Sequence, residues 1–182
     1  MSHPAPNHFE LVYSPEQISQ MVKKIAKGIR ESYGPKDEIV VVGVLKGAWI
    51  FHADLVRELG RDVTVDFIRA TSYGSGTQTS GVVRILKDIE VDIRGKHVVL
   101  VEEIIDSGRT LSFIQQRLAN GNAASVKIAA LLDKKARREV PCEADFLGSE
   151  VENFFLVGYG LDWGEKYRNL PGVYKVVGET LR

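Results

Sequence analysis

The chain has 182 residues, a length that favours a single domain. Hydrophobic residues make up 44% of it and charged residues 26%, proportions that argue against disordered, collagen-like and coiled-coil chains. Because 24 basic side chains balance 24 acidic ones, the sequence lacks the basic excess of a general nucleic-acid binder. We therefore expect no nucleic-acid partner.

The sequence also predicts a cytoplasmic protein without a membrane partner. Its first residues contain no basic stretch followed by an apolar run, so no signal peptide is expected. The apolar runs are much shorter than the roughly 18 residues that span a bilayer. A single cysteine, Cys142, excludes an internal disulfide and favours a reducing compartment.

Predicted helices and strands alternate along the chain. Ser14 and Pro15 predict the start of a helix over 15–32, and an apolar, β-branched strand at 39–45 precedes a helix at 48–59 that ends at Gly60. The later elements are strands at 63–70, 82–88 and 97–101, a helix at 110–119, and strands at 126–132 and 154–159. This alternation predicts an α/β fold with a mainly parallel sheet of about five strands flanked by helices. Functional residues are then expected at the carboxyl ends of the strands.

An acidic segment follows the strand at 97–101. Glu102, Glu103 and Asp106 precede Ser107 to Thr110, where a helix is predicted to begin. A helix N-terminus favours phosphate, whereas carboxylates suit sugar hydroxyls, a divalent cation or a proton on a substrate. The alternative is an ordinary capped helix with surface glutamates.

This segment, VLVEEIIDSGRTL, resembles the ribose-5-phosphate-binding motif of the type I phosphoribosyltransferases. Four further segments narrow the resemblance to the hypoxanthine–guanine phosphoribosyltransferases: VLKGA at 44–48, FIR at 67–69 with Ser72 and Tyr73, LLDK at 131–134, and FLVGYGLD at 155–162. The resemblance implies transfer of ribose 5-phosphate from 5-phosphoribosyl-1-pyrophosphate to hypoxanthine or guanine, giving IMP or GMP and pyrophosphate in purine salvage. It also implies magnesium and a homo-oligomer, either a dimer or a tetramer.

The same resemblance implies the type I phosphoribosyltransferase fold in one domain, residues 1–182. A core at about 36–150 would carry a small hood built from about 1–14 and 151–182. Residues 71–81, rich in glycine, serine and threonine, resemble the family's flexible lid. From the residues alone, an ordinary hairpin loop is the less favoured alternative.

The implied roles fall into three groups. Asp106 is the general base, and the 5′-phosphate is bound by Asp106, Ser107, Gly108, Arg109 and Thr110. Glu102 and Glu103 contact the ribose, directly or through magnesium, and with Asp162 they are the implied metal ligands. Pyrophosphate is bound by Lys46 and Gly47, which follow a cis peptide bond in the family, and by Arg168, Ser72 and Tyr73.

The purine is bound by Lys134, Phe155, Leu156 and Asp162. Lysine has only donors, so Lys134 suits the O6 of a 6-oxopurine and disfavours adenine. The sequence alone leaves open that Lys46 and Lys134 are solvated and that Phe155 belongs to the core. The cluster Lys134-Lys135-Ala136-Arg137-Arg138 is interpreted as a solvated loop rather than a nucleic-acid patch.

One position departs from the family's usual Glu-Asp pair. Glu103 is longer by one methylene, which brings its contact with ribose or magnesium into question. Three other functions are considered: a xanthine-preferring 6-oxopurine transferase, a non-catalytic regulator of the same fold that binds ribose phosphate or RNA, and a different α/β phosphate-binding protein. The zero net charge and the presence of Asp106, Lys134, Phe155 and Asp162 argue against the regulator.

Overall fold

A computed structural model of the chain describes residues 9–73 and 82–177. The helices are α1 (Pro15–Ser32), α2 (Trp49–Leu59) and α3 (Arg109–Ala119), and a 3₁₀ turn covers Lys135–Arg137. The strands are β1 (Phe9–Tyr13), β2 (Ile39–Leu45), β3 (Thr64–Tyr73), β4 (Val82–Lys87), β5 (His97–Ile105), β6 (Ser125–Asp133), β7 (Phe146–Glu150), β8 (Leu156–Val157) and β9 (Val173–Val176). None of the helices in these two ranges is both long and apolar enough to cross a membrane.

Six strands form the central sheet, in the order β4-β3-β2-β5-β6-β7. All neighbouring pairs are parallel except β3 and β4, which are antiparallel. Helices α1 and α2 pack with one apolar cluster and α3 with the other. Because helices cover the sheet, the central strands are apolar on both faces, as the run at 39–45 predicts.

A second, three-stranded antiparallel sheet has the order β1-β9-β8. It joins residues near both ends of the described chain, and we call it the hood sheet. Its connecting segment from β8 to β9 reaches the core, since the hydroxyl of Tyr159 donates a 2.6 Å hydrogen bond to Asp54 Oδ2 on α2. The prediction of an α/β fold with a mainly parallel sheet and a small hood is therefore confirmed.

Two strand predictions need correction. The strand expected at 154–159 is only Leu156–Val157 and belongs to the hood sheet, because glycines at 158 and 160 adopt positive φ. The central sheet instead ends with β7, which was not predicted: the sequence FLGSE is short and its last three residues favour turns. The sheet consequently has six strands rather than about five.

Candidate active site

The carboxyl ends of β2, β5 and β6 meet at one edge of the central sheet, where two cavities open. The smaller, about 260 Å³, lies between the turn after β2 and the segment from β5 to α3; we call it the phosphate cavity. The larger, about 520 Å³, lies between the end of β6 and the hood; we call it the base cavity. Asp106 and Ile104 line both cavities, so Asp106 stands at their junction.

The floor of the phosphate cavity is the N-terminus of α3. Its N-cap is Gly108 at φ 82°, which has no side chain to cap the helix, and Ser107 Oγ accepts a long 3.4 Å hydrogen bond from the amide of Arg109. A Cβ at Gly108 would lie 2.9 Å from Cys142 Cβ, so only glycine fits this turn. The N-terminal amides and the helix dipole together favour an anion such as a phosphate.

A buried ion pair stabilises the turn that precedes α3. The side chains of Arg138 and Asp133 are 13% and 1% exposed and pair with each other. Arg138 Nη1 also donates a 2.7 Å hydrogen bond to the carbonyl of Asp106. The pair therefore ties the end of β6 to the turn that begins at Asp106. The interpretation of the basic cluster as a solvated loop is wrong for Arg138, because Asp133 at the end of β6 supplies a buried partner.

Glu102 and Glu103 lie within β5, since the strand continues four residues beyond its predicted end and pairs with β6 as far as Ile105 and Asp133. The pKa of Glu102 is raised well above its usual value, first by burial and second by the neighbouring Glu103. Glu103 Oε2 is buried and has no hydrogen-bond partner in the described chain. Two crowded, desolvated carboxylates of this kind form a site that a cation would stabilise.

The turn after β2 packs closely on these acids. The peptide bond between Leu45 and Lys46 is cis, as the resemblance implies. A Cβ at Gly47 would lie 1.6 Å from Glu103 Oε1, so the longer side chain of Glu103 reaches to the backbone of this turn. On the other side, a Cβ at Gly160 would lie 2.0 Å from the carbonyl oxygen of Gly47. The turn is thus held between β5 and the hood.

Charged residues of the hood border the same turn. Arg168 donates a 2.7 Å hydrogen bond to the carbonyl of Gly160 and lies 2.9 Å from Asp162 Oδ1. Lys46 Nζ lies 2.7 Å from Glu165 Oε2. Lys46 and Arg168, both predicted pyrophosphate ligands, are thereby brought together.

The predicted purine-binding residues Lys134, Phe155, Leu156 and Asp162 all line the base cavity. The Phe155 side chain is partly exposed and makes an edge contact with Trp163, with 5.8 Å between ring centroids. Burial lowers the pKa of Lys134, and the neighbouring Asp106 opposes that shift. The cavity thus offers an aromatic face and a cationic donor to a planar ligand.

Not every predicted residue faces these cavities. Arg109 lines neither cavity, and its guanidinium pairs with Glu139 at 2.5 Å. Ser72 and Tyr73 end β3, and nothing is described of their side chains. Most of the predicted lid, residues 74–81, lies outside the described residues.

Sequence reasoning missed two residues at the site. Arg137 lines the base cavity, with its Nε 3.3 Å from Asp106 Oδ1. Glu165 contacts both Lys46 and Arg168. The sequence offered one indication for Arg137, its position three residues after Lys134. In a 3₁₀ turn, residues i and i+3 lie on the same side of the turn.

The residues present fit magnesium better than a metal ion whose ligands all come from the protein. Within residues 9–73 and 82–177, no three His, Cys, Asp or Glu side chains cluster as a complete metal site. Magnesium is usually bound by one or two carboxylates, together with water and substrate oxygens. Glu102, and Glu103 with its unpartnered buried oxygen, meet that requirement.

Comparison with known proteins agrees with this geometry. A sequence model of the phosphoribosyl transferase domain matches residues 10–163. The chain is 50% identical to the hypoxanthine-guanine phosphoribosyltransferase of Aquifex aeolicus, covering 92% of this chain and 94% of that protein. It is 44% identical to the hypoxanthine phosphoribosyltransferase of Salmonella typhimurium, covering 92% and 95%.

Solved structures give the same result. A Staphylococcus aureus hypoxanthine phosphoribosyltransferase superposes with a TM-score of 0.92 at 34% identity, covering 97% of this chain and 96% of that chain. A Bacillus anthracis hypoxanthine-guanine phosphoribosyltransferase superposes with a TM-score of 0.85 at 45% identity, covering 92% and 98%. The chain therefore belongs to the phosphoribosyltransferase family and, within it, to the hypoxanthine-guanine phosphoribosyltransferases.

Proposed function

We propose that this chain is a purine-salvage enzyme that transfers ribose 5-phosphate from 5-phosphoribosyl-1-pyrophosphate to hypoxanthine or guanine. One observation carries the proposal: Asp106 lines both the phosphate cavity and the base cavity. A group at that junction reaches the sugar phosphate and the purine at once. The membership of the family supports the same assignment.

In this proposal the 5′-phosphate binds at the N-terminus of α3, with Ser107 and Thr110 donating hydroxyl hydrogen bonds. Both residues line the phosphate cavity. Glu102 and Glu103 face the ribose hydroxyls, and Lys46, the Gly47 backbone and Arg168 face the departing pyrophosphate. Fixing the phosphate and the pyrophosphate at separate points holds the ribose C1 in position for attack by the purine.

Asp106 then accepts the proton from the imidazole ring of the purine as the bond to C1 forms. Its Oδ1 pairs with Arg137 Nε at 3.3 Å but receives no hydrogen bond from the described residues, so the carboxylate is held at the junction and can still accept that proton. Proton transfer to a positioned base of this kind contributes about 10²- to 10⁴-fold to the rate. The geometry thus supplies both positioning and proton transfer.

Lys134 selects the purine, since its ammonium group donates to O6 but would face the amino group of adenine. Phe155 stacks on the ring, and the backbone around Leu156, which lines the same cavity as Asp162, accepts from a 2-amino group. One magnesium would be held by Glu102 and Glu103 and a second by Asp162, each together with substrate oxygens, and both would neutralise charge on the pyrophosphate.

Further parts of the proposal follow from the resemblance. We expect one domain over residues 1–182, with a core at about 36–150 and a hood from 1–14 and 151–182. We also expect a cytoplasmic enzyme that forms a dimer or tetramer, with no nucleic-acid or membrane partner. Analytical ultracentrifugation of the purified chain would determine its assembly.

The test is pyrophosphate release with magnesium and 5-phosphoribosyl-1-pyrophosphate, offering hypoxanthine, guanine, xanthine and adenine in parallel. We expect turnover with hypoxanthine or guanine and none with adenine. Faster turnover with xanthine would favour the xanthine-preferring alternative. Binding of the ribose phosphate without turnover of any base would instead favour the non-catalytic regulator, which an RNA filter-binding assay would then test.

A further inference from the structure

Glu165 places a carboxylate between the two cations that bind pyrophosphate in the proposed function. Its Oε2 lies 2.7 Å from Lys46 Nζ and 3.5 Å from Arg168 Nη2. The nearby Lys46 ammonium also holds the pKa of Glu165 below its usual value. A single negatively charged oxygen therefore bridges both cations, as an oxygen of pyrophosphate would.

The backbone of the hood segment holds Glu165 in this place. Its amide donates a 2.9 Å hydrogen bond to Asp162 Oδ2. Its φ is +68°, in the left-handed region that glutamate rarely adopts. Reciprocal backbone hydrogen bonds between Trp163 and Lys166 close the turn that contains it. The carboxylate is thus presented to Lys46 by a defined turn.

The carboxylate can nevertheless leave without disturbing Arg168. The Glu165 side chain is 65% exposed, so it can turn into water at small cost. Arg168 is only 18% exposed and keeps its hydrogen bond to the carbonyl of Gly160 and its pair with Asp162. A competing anion would therefore find Arg168 in place and could pair with the Lys46 ammonium that Glu165 releases.

We propose that Glu165 competes with pyrophosphate for Lys46 and Arg168, and thereby lowers the affinity of the enzyme for that product. This inference rests on the proposed function, which assigns the two cations to pyrophosphate. Two adjacent cations would retain a polyanion strongly, and release of product limits turnover in many enzymes. An internal carboxylate that returns to the cations as pyrophosphate leaves makes release easier.

The test compares the wild-type chain with Glu165→Gln, which keeps the size of the side chain and removes its charge. Calorimetric titration with pyrophosphate in the presence of magnesium gives the dissociation constant directly. We expect this constant to fall about 2- to 10-fold in the variant, the effect of losing one or two exposed ion pairs. The KM for 5-phosphoribosyl-1-pyrophosphate should fall as well, while kcat stays unchanged or decreases.

Glu31→Gln is the matched control. It removes one negative charge and one exposed ion pair, the 3.7 Å contact with Lys27 near the end of α1. That end of α1 leads to the amino end of β2, whereas the site lies at the carboxyl end of this strand. Its dissociation constant for pyrophosphate should equal that of the wild-type chain. A fall of the same size in this control would overturn the proposal, because general charge would then be the cause.

Glu165→Gly is a second variant that guards against misfolding, since glycine accepts a positive φ without strain. It should tighten pyrophosphate binding in the same way. An unchanged or larger dissociation constant in both variants would overturn the proposal, because Glu165 would then be inert or would orient Lys46 for binding. Turnover by the wild-type chain distinguishes failure of the proposed function from failure of this inference. If the wild-type chain has no turnover, the proposed function fails. If it turns over but neither variant binds pyrophosphate more tightly, only the role of Glu165 is rejected.

Discussion

Asp106 stands beside a cation that the sequence does not single out. Arg137 Nε lies 3.3 Å from Asp106 Oδ1, and both side chains are about half exposed, at 53% and 47%. An ion pair of this exposure adds little to stability. We infer that the pair orients Asp106, because Arg137 lines the base cavity and can hold the carboxylate toward the proposed position of the purine.

We therefore expect Arg137→Met to lower kcat/KM for hypoxanthine about 2- to 5-fold, in line with the loss of one exposed ion pair. The KM for 5-phosphoribosyl-1-pyrophosphate should not change, and Arg137→Lys should restore part of the loss. Lys135→Met is the control, since Lys135 lies in the same 3₁₀ turn and pairs with Glu150 outside both cavities. Steady-state kinetics of the three variants checks this, and equal losses in Arg137→Met and Lys135→Met would count against it.

At this scale the sequence predicted residues that belong to a motif and missed residues recruited by tertiary contacts. Lys46, Asp106 and Lys134 follow apolar strands, so topology alone brings them together. Arg137 and Glu165 depend instead on tertiary contacts, with Asp106 and Lys46 respectively. No local pattern identifies such partners.

Among the elements, the turn after β2 has the closest packing in the site. Gly47 contacts Glu103 on one side, and its carbonyl contacts Gly160 on the other. The longer acid at position 103 therefore finds room only because position 47 carries no side chain. This finding bears on the question raised by the Glu-Glu pair, since the extra methylene directs the carboxylate toward the pyrophosphate turn.

Gly47→Ala should consequently displace Glu103 or the turn by an ångström or more. We expect kcat/KM for 5-phosphoribosyl-1-pyrophosphate to fall on the order of 10²-fold, the effect of a displacement of that size at a reacting centre. Gly34→Ala is the control, because its new Cβ would meet only the side chain of Asp37, at an ordinary 3.4 Å. Initial rates over a range of substrate concentrations test this, and wild-type kinetics in Gly47→Ala would show that the packing is not required.

Elements with strong local patterns were predicted closely, and weak ones were not. Helix α1 begins at Pro15 with a complete capping box between Ser14 and Gln17, and α2 ends at Gly60 in the left-handed conformation. Strand β7 depends instead on pairing with β6, to which its sequence gives no guide. Strand β5 likewise includes its two glutamates, because β6 continues to pair with it as far as Ile105 and Asp133.

The whole molecule places one histidine between α2 and the central sheet. His52 is 3% exposed, its Nε2 donates to the carbonyl of Val41 at 3.1 Å, and its ring contacts Phe67. Burial lowers the pKa of His52 below the ordinary value of 6.5, against the opposing effect of the hydrogen bond to Val41. The folded chain therefore keeps His52 neutral where the unfolded chain would protonate it.

The free energy of unfolding should consequently fall as the pH drops below about 6.5, by up to about 1.4 kcal/mol per pH unit from this group. The contribution is fully present above the unfolded pKa and is lost as the pH falls toward the folded one. Urea unfolding of the wild-type chain and of His52→Gln between pH 7.5 and 5.5 measures it. The variant should show the shallower dependence, and identical slopes would exclude His52 as a source.

For the molecule as a whole, alternating helices and strands predicted the α/β class, and the motifs predicted which strand ends carry the chemistry. The hood was implied by resemblance only, because β1 and β9 pair across nearly the whole length of the chain. Contacts of such sequence separation leave little trace in local patterns. The base cavity lies between hood and core, so its full lining could not be read from the sequence either.

The most direct test of the proposed function is Asp106→Asn, because this carboxylate is the proposed base at the junction of the two cavities. Single-turnover formation of IMP and equilibrium binding of IMP should be measured on the same preparation. We expect the rate to fall about 10²- to 10⁴-fold while the dissociation constant of IMP stays largely unchanged. A variant that forms IMP at the wild-type rate would contradict the account, and so would one whose lost activity is matched by an equal loss of IMP binding.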